Sequence, residues 1–198
     1  MHRYLPKIYC FIDQYNLDEL KIINKNIGII YRNYEKKIDE KTVILIRNYC
    51  REKNHAFYLS GDVKIAIKLK LNGAYIPSFI KKLNTKNFSL PKNFIIMGSA
   101  HNEQEIVIKE KQGCKLIFVA PIFKVKKKDD YLGICNFNKL SLISNMKLIA
   151  LGGINSKNIK KINLLNCFGV AGISWIKKNG LIKIRPFLNC LNKQWLEC

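Results

Sequence analysis

Two glycine-containing stretches toward the end of the chain have residue types suited to binding phosphate. Gly152 and Gly153 follow one apolar run, while Gly172 and Ser174 lie where the next apolar run ends. Glycines leave backbone N–H groups accessible, and N–H groups at the start of a helix bind a phosphate dianion. A glycine pair can also be only a tight turn. The prediction of a phosphate site therefore depends on the two stretches lying side by side.

A cluster of lysines forms a second region that could bind anions. The segment from residue 124 to residue 133 contains Lys124, Lys126, Lys127 and Lys128, followed directly by two aspartates. Such a segment fits a charged loop beside an active site, and it fits an ordinary solvated surface loop equally well. In the first case, its lysines would belong to the active site.

Three single residues at the ends of apolar runs are further candidates. Arg32 must meet an anion or reach solvent, so it is either a ligand-binding residue or one half of a structural ion pair. Asp13 is either a carboxylate of the site or a helix cap. His101 could orient Ser99 or a phosphate, although an isolated histidine near a helix start is more often a cap or a surface residue.

Eight short apolar runs rich in β-forming residues would position these groups. They are Ile8 to Ile12, Ile27 to Tyr31, Ala56 to Leu59, Ala74 to Ile76, Phe94 to Met97, Leu116 to Ala120, Leu148 to Leu151 and Phe168 to Ala171. Segments with helical periodicity separate most of them, which is typical of a parallel sheet covered by helices. We predict a single (β/α)₈ barrel over residues 1–198, with its site at the carboxyl ends of the strands. An open, doubly wound sheet is the alternative, because periodicity does not show closure.

The segment after the fourth apolar run is the least regular part of the predicted barrel. Pro77 stops the strand, and Ser78 to Asn93 mixes lysine, asparagine and a second proline. We predict a short helix and a loop there. The chain contains no linker, internal repeat or domain boundary that composition would reveal.

The chain is strongly basic, with 35 Lys+Arg against 14 Asp+Glu and a formal charge of +21. Nearly all of the excess is lysine. Specific nucleic-acid recognition would require arginine forks or aromatic residues interleaved with a basic stripe, and neither occurs. The charge therefore indicates a general attraction for polyanions rather than a nucleic-acid function.

The cysteines and the apolar segments indicate the cellular compartment in which we expect the protein. The 7 cysteines include no Cys-x-x-Cys pair, which favours reduced thiols in a cytoplasm over disulfides or a zinc site. The apolar run from Ile8 to Ile12 is short and is followed directly by Asp13, so no signal peptide is expected. No uncharged apolar run approaches the roughly 18 residues of a membrane span.

Four motifs together resemble the thiamine-phosphate synthase/TenI family. They are Ser99-Ala-His101, Ala120 to Phe123, Leu151 to Ile154 and Gly172 to Ser174, and their order and spacing fit that family from Ile8 to about Lys178. The resemblance implies a (β/α)₈ barrel. For the synthases of the family, it implies the joining of hydroxymethylpyrimidine diphosphate to thiazole phosphate, with release of pyrophosphate and with Mg²⁺ as cofactor.

The resemblance also implies roles for individual residues. Arg32 matches the arginine after the second strand, Ser99 the serine of the fifth strand, and Lys128 the lysine of the loop after the sixth. The residues that match the thiazole-phosphate site are Gly152, Gly153 and Ser174. Cations beside the diphosphate would stabilise the charge that builds as it leaves, and the second phosphate would orient the nucleophile.

The chain departs from the family pattern at several strand ends. The residues that differ are Ile30, Tyr34, Ser60, Gly61, Tyr75, Ser78, Ile80, Val125 and Lys127. The carboxylates that bind Mg²⁺ in the synthases are among the groups replaced. Asp62 is the only nearby substitute, and Mg²⁺ usually needs one or two carboxylates beside substrate phosphates. If Asp62 does not suffice, the lysine-rich loop could take the place of the metal.

These observations predict a divergent thiamine-phosphate synthase that acts on small phosphorylated substrates. The alternative is a non-catalytic barrel that binds a phosphate ester or a thiamine precursor, since such a protein needs the phosphate site but not the metal site. The tautomerases of the same family carry a histidine where this chain has Pro121. Tautomerase activity is therefore not expected.

Overall fold

Eight parallel strands close into a barrel in the computed structural model, which describes residues 5–126 and 129–172. The strands are β1 (Ile8–Ile12), β2 (Ile27–Tyr31), β3 (Phe57–Ser60), β4 (Gly73–Ile76), β5 (Ile95–Ala100), β6 (Leu116–Val119), β7 (Lys147–Leu151) and β8 (Gly169–Gly172). Each strand pairs with the next one along the chain, and β1 also pairs with β8. The barrel prediction is confirmed, and closure rules out the open, doubly wound sheet.

Helices connect most of the strands. The α-helices of the described residues are α1 (Leu17–Ile22), α2 (Glu40–Glu52), α3 (Val63–Lys68), α4 (Glu103–Lys111) and α5 (Gly133–Ile143). The first four begin at a polar residue whose side chain accepts backbone N–H groups of the first turn, which fixes where each connection ends. The connections after β4 and β7 contain 3₁₀ helices instead, at Thr85–Asn87 and Ile159–Leu164.

Aromatic rings fill much of the barrel interior. Tyr9, Phe11, Tyr58, Tyr75 and Phe118 form one buried cluster, in which neighbouring ring centres are 5.1–6.0 Å apart at steep angles. Edge-to-face pairs of this kind contribute about 1 kcal/mol each beyond their buried area. The interior is therefore packed solid below the mouth of the barrel.

A second apolar layer lies between the strands and the helices. Val43, Ile46 and Cys50 are buried along one face of α2 at helical spacing, which accounts for the periodicity of that segment. Among the residues that the structure describes, no helix is long and apolar enough to cross a membrane.

Candidate active site

The carboxyl ends of the strands bring the predicted site residues to one mouth of the barrel. Arg32 follows β2 and Gly152 follows β7. The strands β7 and β8 run parallel with Leu151 beside Ala171, so Gly152 and Gly172 are also neighbours. The two glycine stretches thus lie on adjacent strands, as the prediction of a phosphate site requires.

Arg32 lies between two aromatic rings. Its guanidinium carbon is 4.5 Å from the centre of the Phe11 ring and 5.5 Å from the centre of the Tyr34 ring. Such contacts hold the positive charge without occupying the N–H donors. No ion pair within residues 5–126 and 129–172 includes Arg32. Its N–H fork is therefore available to an anionic ligand rather than committed to a structural ion pair.

Two exposed aromatic side chains stand on the rim above Arg32. Tyr34 and Phe79 come from the loops after β2 and β4, and their ring centres are 5.4 Å apart in an edge-to-face arrangement. They are 53% and 64% exposed, which is unusual for rings in mutual contact. The rim therefore offers apolar surface to a flat ligand next to a cation.

Ser99 forms part of the floor of the mouth. Its side chain is buried and hydrogen-bonded to Tyr75. Burial raises the pKa of Tyr75 well above its usual value, and this effect outweighs the opposing influences of Ser99 and Arg32. Tyr75 is thus a neutral phenol whose ring belongs to the barrel filling and whose hydroxyl reaches the site.

His101 is held by three hydrogen bonds rather than exposed as a surface residue. Its ring Nδ1 is bonded to the Ala120 carbonyl, and its Nε2 lies 3.3 Å from the Ser78 hydroxyl. Its backbone N–H donates to the Glu105 carboxylate at 2.8 Å. The side chain bridges the ends of β4, β5 and β6, so it does not act as a helix cap.

The turn after β7 has the geometry that only glycine adopts easily. Gly152 and Gly153 have φ values of 94° and 73°, and a Cβ on Gly153 would lie 2.3 Å from the Phe123 carbonyl oxygen. The side-chain amides of Asn155 and Asn158 donate to the Gly153 carbonyl at 3.1 and 2.8 Å. Within the described residues, the N–H groups of Gly152 and Gly153 donate to no protein acceptor. They remain available to a phosphate, although the following 3₁₀ helix begins only at Ile159.

Two residues of the lysine-rich loop, Lys127 and Lys128, lie outside the described residues, and so does Ser174. Lys124 forms an ion pair of 2.8 Å with Asp129, and both side chains are largely exposed. Lys126 is also exposed. Next to this loop lies a cavity of about 460 Å³, whose lining includes His101, Pro121 and Asp130. The loop therefore borders the mouth, and Asp129 neutralises part of its positive charge.

The carboxylates near the mouth do not make a ready metal site. Asp62 caps α3, and its carboxylate accepts the Ile65 N–H at 2.8 Å. Asp13 is exposed at the end of β1. In the part of the chain that the structure describes, no group of three or more His, Cys, Asp or Glu side chains could hold a metal ion. A Mg²⁺ ion would therefore rely on substrate phosphates for most of its ligands, and Asp62 stays a predicted protein ligand.

The sequence profile of thiamine monophosphate synthase matches residues 22–176, which include most of the barrel and its mouth. The chain belongs to the thiamine monophosphate synthase family. The family resemblance predicted from the strand-end motifs is thereby confirmed.

Individual relatives agree with this assignment. Thiamine-phosphate synthase from Clostridium perfringens strain 13 is 29% identical over 169 residues, which cover 82% of each protein. Thiamine-phosphate synthase from Methanococcus vannielii is 31% identical over 134 residues, covering 66% of this chain and 64% of the relative. Thiamine phosphate pyrophosphorylase from Pyrococcus furiosus has the same fold, with a TM-score of 0.67 at 19% identity, over 95% of this chain and 94% of that one.

This member of the thiamine monophosphate synthase family also contains a buried lysine that sequence reasoning missed. Lys109 of α4 is fully buried, and its three N–H donors reach the Pro77 carbonyl, the Ile80 carbonyl and the Gln112 side chain at 2.7–2.9 Å. Gln112 in turn donates to the carbonyls of Ile80 and Lys81. These bonds anchor the loop after β4, which carries Ser78 and Phe79. A lysine at a helix position gives no sequence signal that its partners lie in a distant loop.

Proposed function

We propose that this protein joins hydroxymethylpyrimidine diphosphate to thiazole phosphate and releases pyrophosphate. Membership of the thiamine monophosphate synthase family supports the proposal. The observation that carries it is Arg32, whose guanidinium lies between Phe11 and Tyr34 with its donors uncommitted at the mouth of the barrel. An arginine held in this way suits a diphosphate, because the planar fork can bind two phosphate oxygens at once.

In this proposal, the two phosphate-bearing substrates occupy opposite sides of the mouth. Arg32 and the loop lysines 124, 126, 127 and 128 hold the diphosphate, and Ser99 lies beside the reacting region. Gly152, Gly153, Gly172 and Ser174 hold the thiazole phosphate. As the C–O bond to the diphosphate breaks, negative charge builds on the leaving oxygen, and the neighbouring cations lower the barrier. The bound thiazole nitrogen then lies close enough to form the new C–N bond.

We propose that any Mg²⁺ binds together with the diphosphate substrate. Mg²⁺ bound to the diphosphate would screen its charge, and we propose Asp62 as the protein carboxylate that contacts the ion. The capping bond to the Ile65 N–H engages part of that carboxylate. Arg32 and the loop lysines therefore neutralise more of the diphosphate charge than they would beside a metal held by two free carboxylates.

A binding protein without catalytic activity is the second candidate function. The described residues favour it in one respect, because no group of three or more His, Cys, Asp or Glu side chains among them could hold a metal ion. Such a protein would keep the glycine turn and Arg32 but would not transfer the pyrimidine. In either case we propose a cytoplasmic single-domain protein whose partners are small phosphorylated molecules and not a specific nucleic acid.

The test is thiamine phosphate formation by the purified protein from the two substrates, with Mg²⁺ and with EDTA. We expect product with Mg²⁺, and we expect Arg32→Met to lower kcat/KM by roughly 100-fold, because a charged hydrogen bond to the leaving group is lost. Arg51→Met is the matched control, since Arg51 is exposed and, among the described residues, donates only to the Lys70 carbonyl. Absence of product together with retained binding of thiazole phosphate would instead support the binding protein.

A further inference from the structure

The side of the mouth formed by the ends of β3, β4 and β5 differs chemically from the phosphate-binding sides. Ser60 ends β3 and pairs in register with Tyr75 of β4, and Ser78 follows that strand. His101 follows β5. We call Ser60, Ser78 and His101 the hydroxyl wall. No lysine or arginine belongs to it, whereas Arg32 at the end of β2 and the N–H groups of the glycine turn after β7 suit an anion.

The hydrogen bonds of His101 fix which way the Ser78 hydroxyl points. The Ala120 carbonyl can only accept a hydrogen bond, so His101 Nδ1 carries the proton. In the neutral imidazole, Nε2 then has only a lone pair, and the Ser78 hydroxyl donates its single proton to it. The free lone pairs of the Ser78 oxygen can therefore only accept a hydrogen bond from a ligand.

Ser60 supplies an independent observation at the same wall. Its side chain is 6% exposed, and its hydroxyl has no hydrogen-bond partner among the described residues. Polar groups buried in this way are normally paired, and an unpaired one at a site is a candidate for bonding to a ligand. Because Tyr58 of the same strand points into the barrel, Ser60, two residues later, points toward the mouth.

We propose that the hydroxyl wall binds the amino-substituted edge of the pyrimidine, with Ser78 accepting from the exocyclic N–H and Ser60 bonding to the adjacent ring edge. The proposal rests on the proposed function and adds the residues that orient one substrate. The Ser78 oxygen has no donor left to offer a phosphate, so an N–H group of the ligand is the better partner for it. The diphosphate end of the molecule then points toward Arg32, which places the bond to be broken between the two regions.

The loop anchor behind the wall supports this assignment. Lys109 holds the carbonyls on either side of Ser78, at Pro77 and Ile80, with bonds of 2.7 and 2.9 Å. A loop held at both ends keeps the Ser78 oxygen in place before the ligand arrives. Preorganisation of this kind is what a specificity contact requires.

The test is calorimetric binding of the amino-substituted hydroxymethylpyrimidine and of the same ring without its amino group. We expect Ser60→Ala and Ser78→Ala each to raise the Kd for the amino compound about five- to tenfold, the loss of one hydrogen bond. For the compound without the amino group, Ser78→Ala should change the Kd less than about twofold. That compound cannot donate to Ser78, so neither the wild type nor the variant makes this hydrogen bond with it.

Two controls separate ligand recognition from a structural role. Ser60→Ala should leave the melting temperature of the free protein unchanged or raise it, because it removes an unpaired buried hydroxyl. Ser89→Ala, an exposed serine far along the loop, should leave both affinities unchanged. Equal losses for both compounds in Ser78→Ala, or no loss at all, would overturn the assignment while thiamine phosphate formation by the wild type stands. If the wild type binds neither pyrimidine nor forms product, the proposed function fails with it.

Discussion

Two loops at the mouth of the barrel are fixed in place by opposite means. The glycine turn after β7 is fixed by close backbone approach, since a Cβ on Gly153 would collide with the Phe123 carbonyl. The loop after β4 is fixed by side chains from a neighbouring helix, because Lys109 and Gln112 bind its carbonyl groups. Both arrangements keep ligand-binding atoms in position. They differ in whether the constraint lies in the loop itself or in a distant element.

The difference has a practical consequence for how each loop responds to change. A loop fixed by backbone contacts tolerates no added atoms, so even the smallest substitution disturbs it. A loop fixed by side chains tolerates changes in its own sequence but depends on one buried cation. The following predictions test this contrast, beginning with the largest effect.

The glycine turn should fail on the addition of one methyl group. Gly153→Ala places a Cβ only 2.3 Å from a carbonyl oxygen at a φ of 73°, so we expect about 4 kcal/mol of lost stability. Thermal unfolding measures the loss, and thiazole-phosphate affinity should fall with it. Gly61→Ala is the control, because Gly61 has a φ of 90° but no atom within 4 Å of a built Cβ. It should cost only about 1 kcal/mol, and an equal loss in both variants would show that backbone strain, not contact, fixes the turn.

The side-chain anchor should give the stability of the protein a particular pH dependence. Burial lowers the pKa of Lys109 from 10.5 to about 8, against smaller opposing effects of Cys114 and Glu105. Between these two pH values the unfolded chain binds the extra proton, so this group makes the protein more stable as the pH rises. Relative to Lys109→Met, the wild type should gain up to about 3 kcal/mol across this window.

Wild type and Lys109→Met must be compared because buried thiols change the stability in the opposite direction as the pH rises. Burial raises the pKa of Cys50, Cys114 and Cys167 to about 12. Each thiol loses its proton in the unfolded chain first, so stability falls as the pH rises above about 9. Cys50 and Cys167 contribute equally to both proteins, and the difference measured by chemical denaturation at pH 8, 9 and 10 reports Lys109 together with its effect on Cys114. A difference that does not vary with pH would mean that Lys109 is not buried as a cation.

The smallest effect should appear at neutral pH and should be local. Lys109→Met removes one hydrogen bond from the Pro77 carbonyl and one from the Ile80 carbonyl, at a cost of about 1–2 kcal/mol. Because the Ile80 N–H donates to the Pro77 carbonyl at 3.1 Å, its hydrogen exchange should accelerate roughly tenfold. Lys111→Met, at an exposed position of the same helix, should leave that rate unchanged. Acceleration at the glycine turn as well would show that the two loops are not independently fixed.

The same contrast explains how much the sequence could predict. Strand positions and the glycine turn follow from local residue patterns, and all eight strands and the placement of Gly152 beside Gly172 agree with expectation. The bond from Ser78 to His101 joins residues 23 positions apart, and the bond from Lys109 to Pro77 spans 32. Contacts between residues so far apart in the sequence leave no local pattern. Lysine and serine are common on solvated surfaces, so their presence does not indicate a buried contact. Hence the sequence does not distinguish His101 from a cap, and no local pattern marks Lys109.

Tyr75 limits how this enzyme family member can change its substrate. The ring packs edge-to-face against Phe11 and Phe118 in the barrel filling, while the hydroxyl bonds to Ser99 at the mouth. Any replacement of Tyr75 that alters the floor of the site therefore also leaves a void or a clash in the interior. We therefore expect ligand preference to evolve mainly through substitutions in the loops, where positions such as Tyr34 and Ser78 can vary without repacking the barrel.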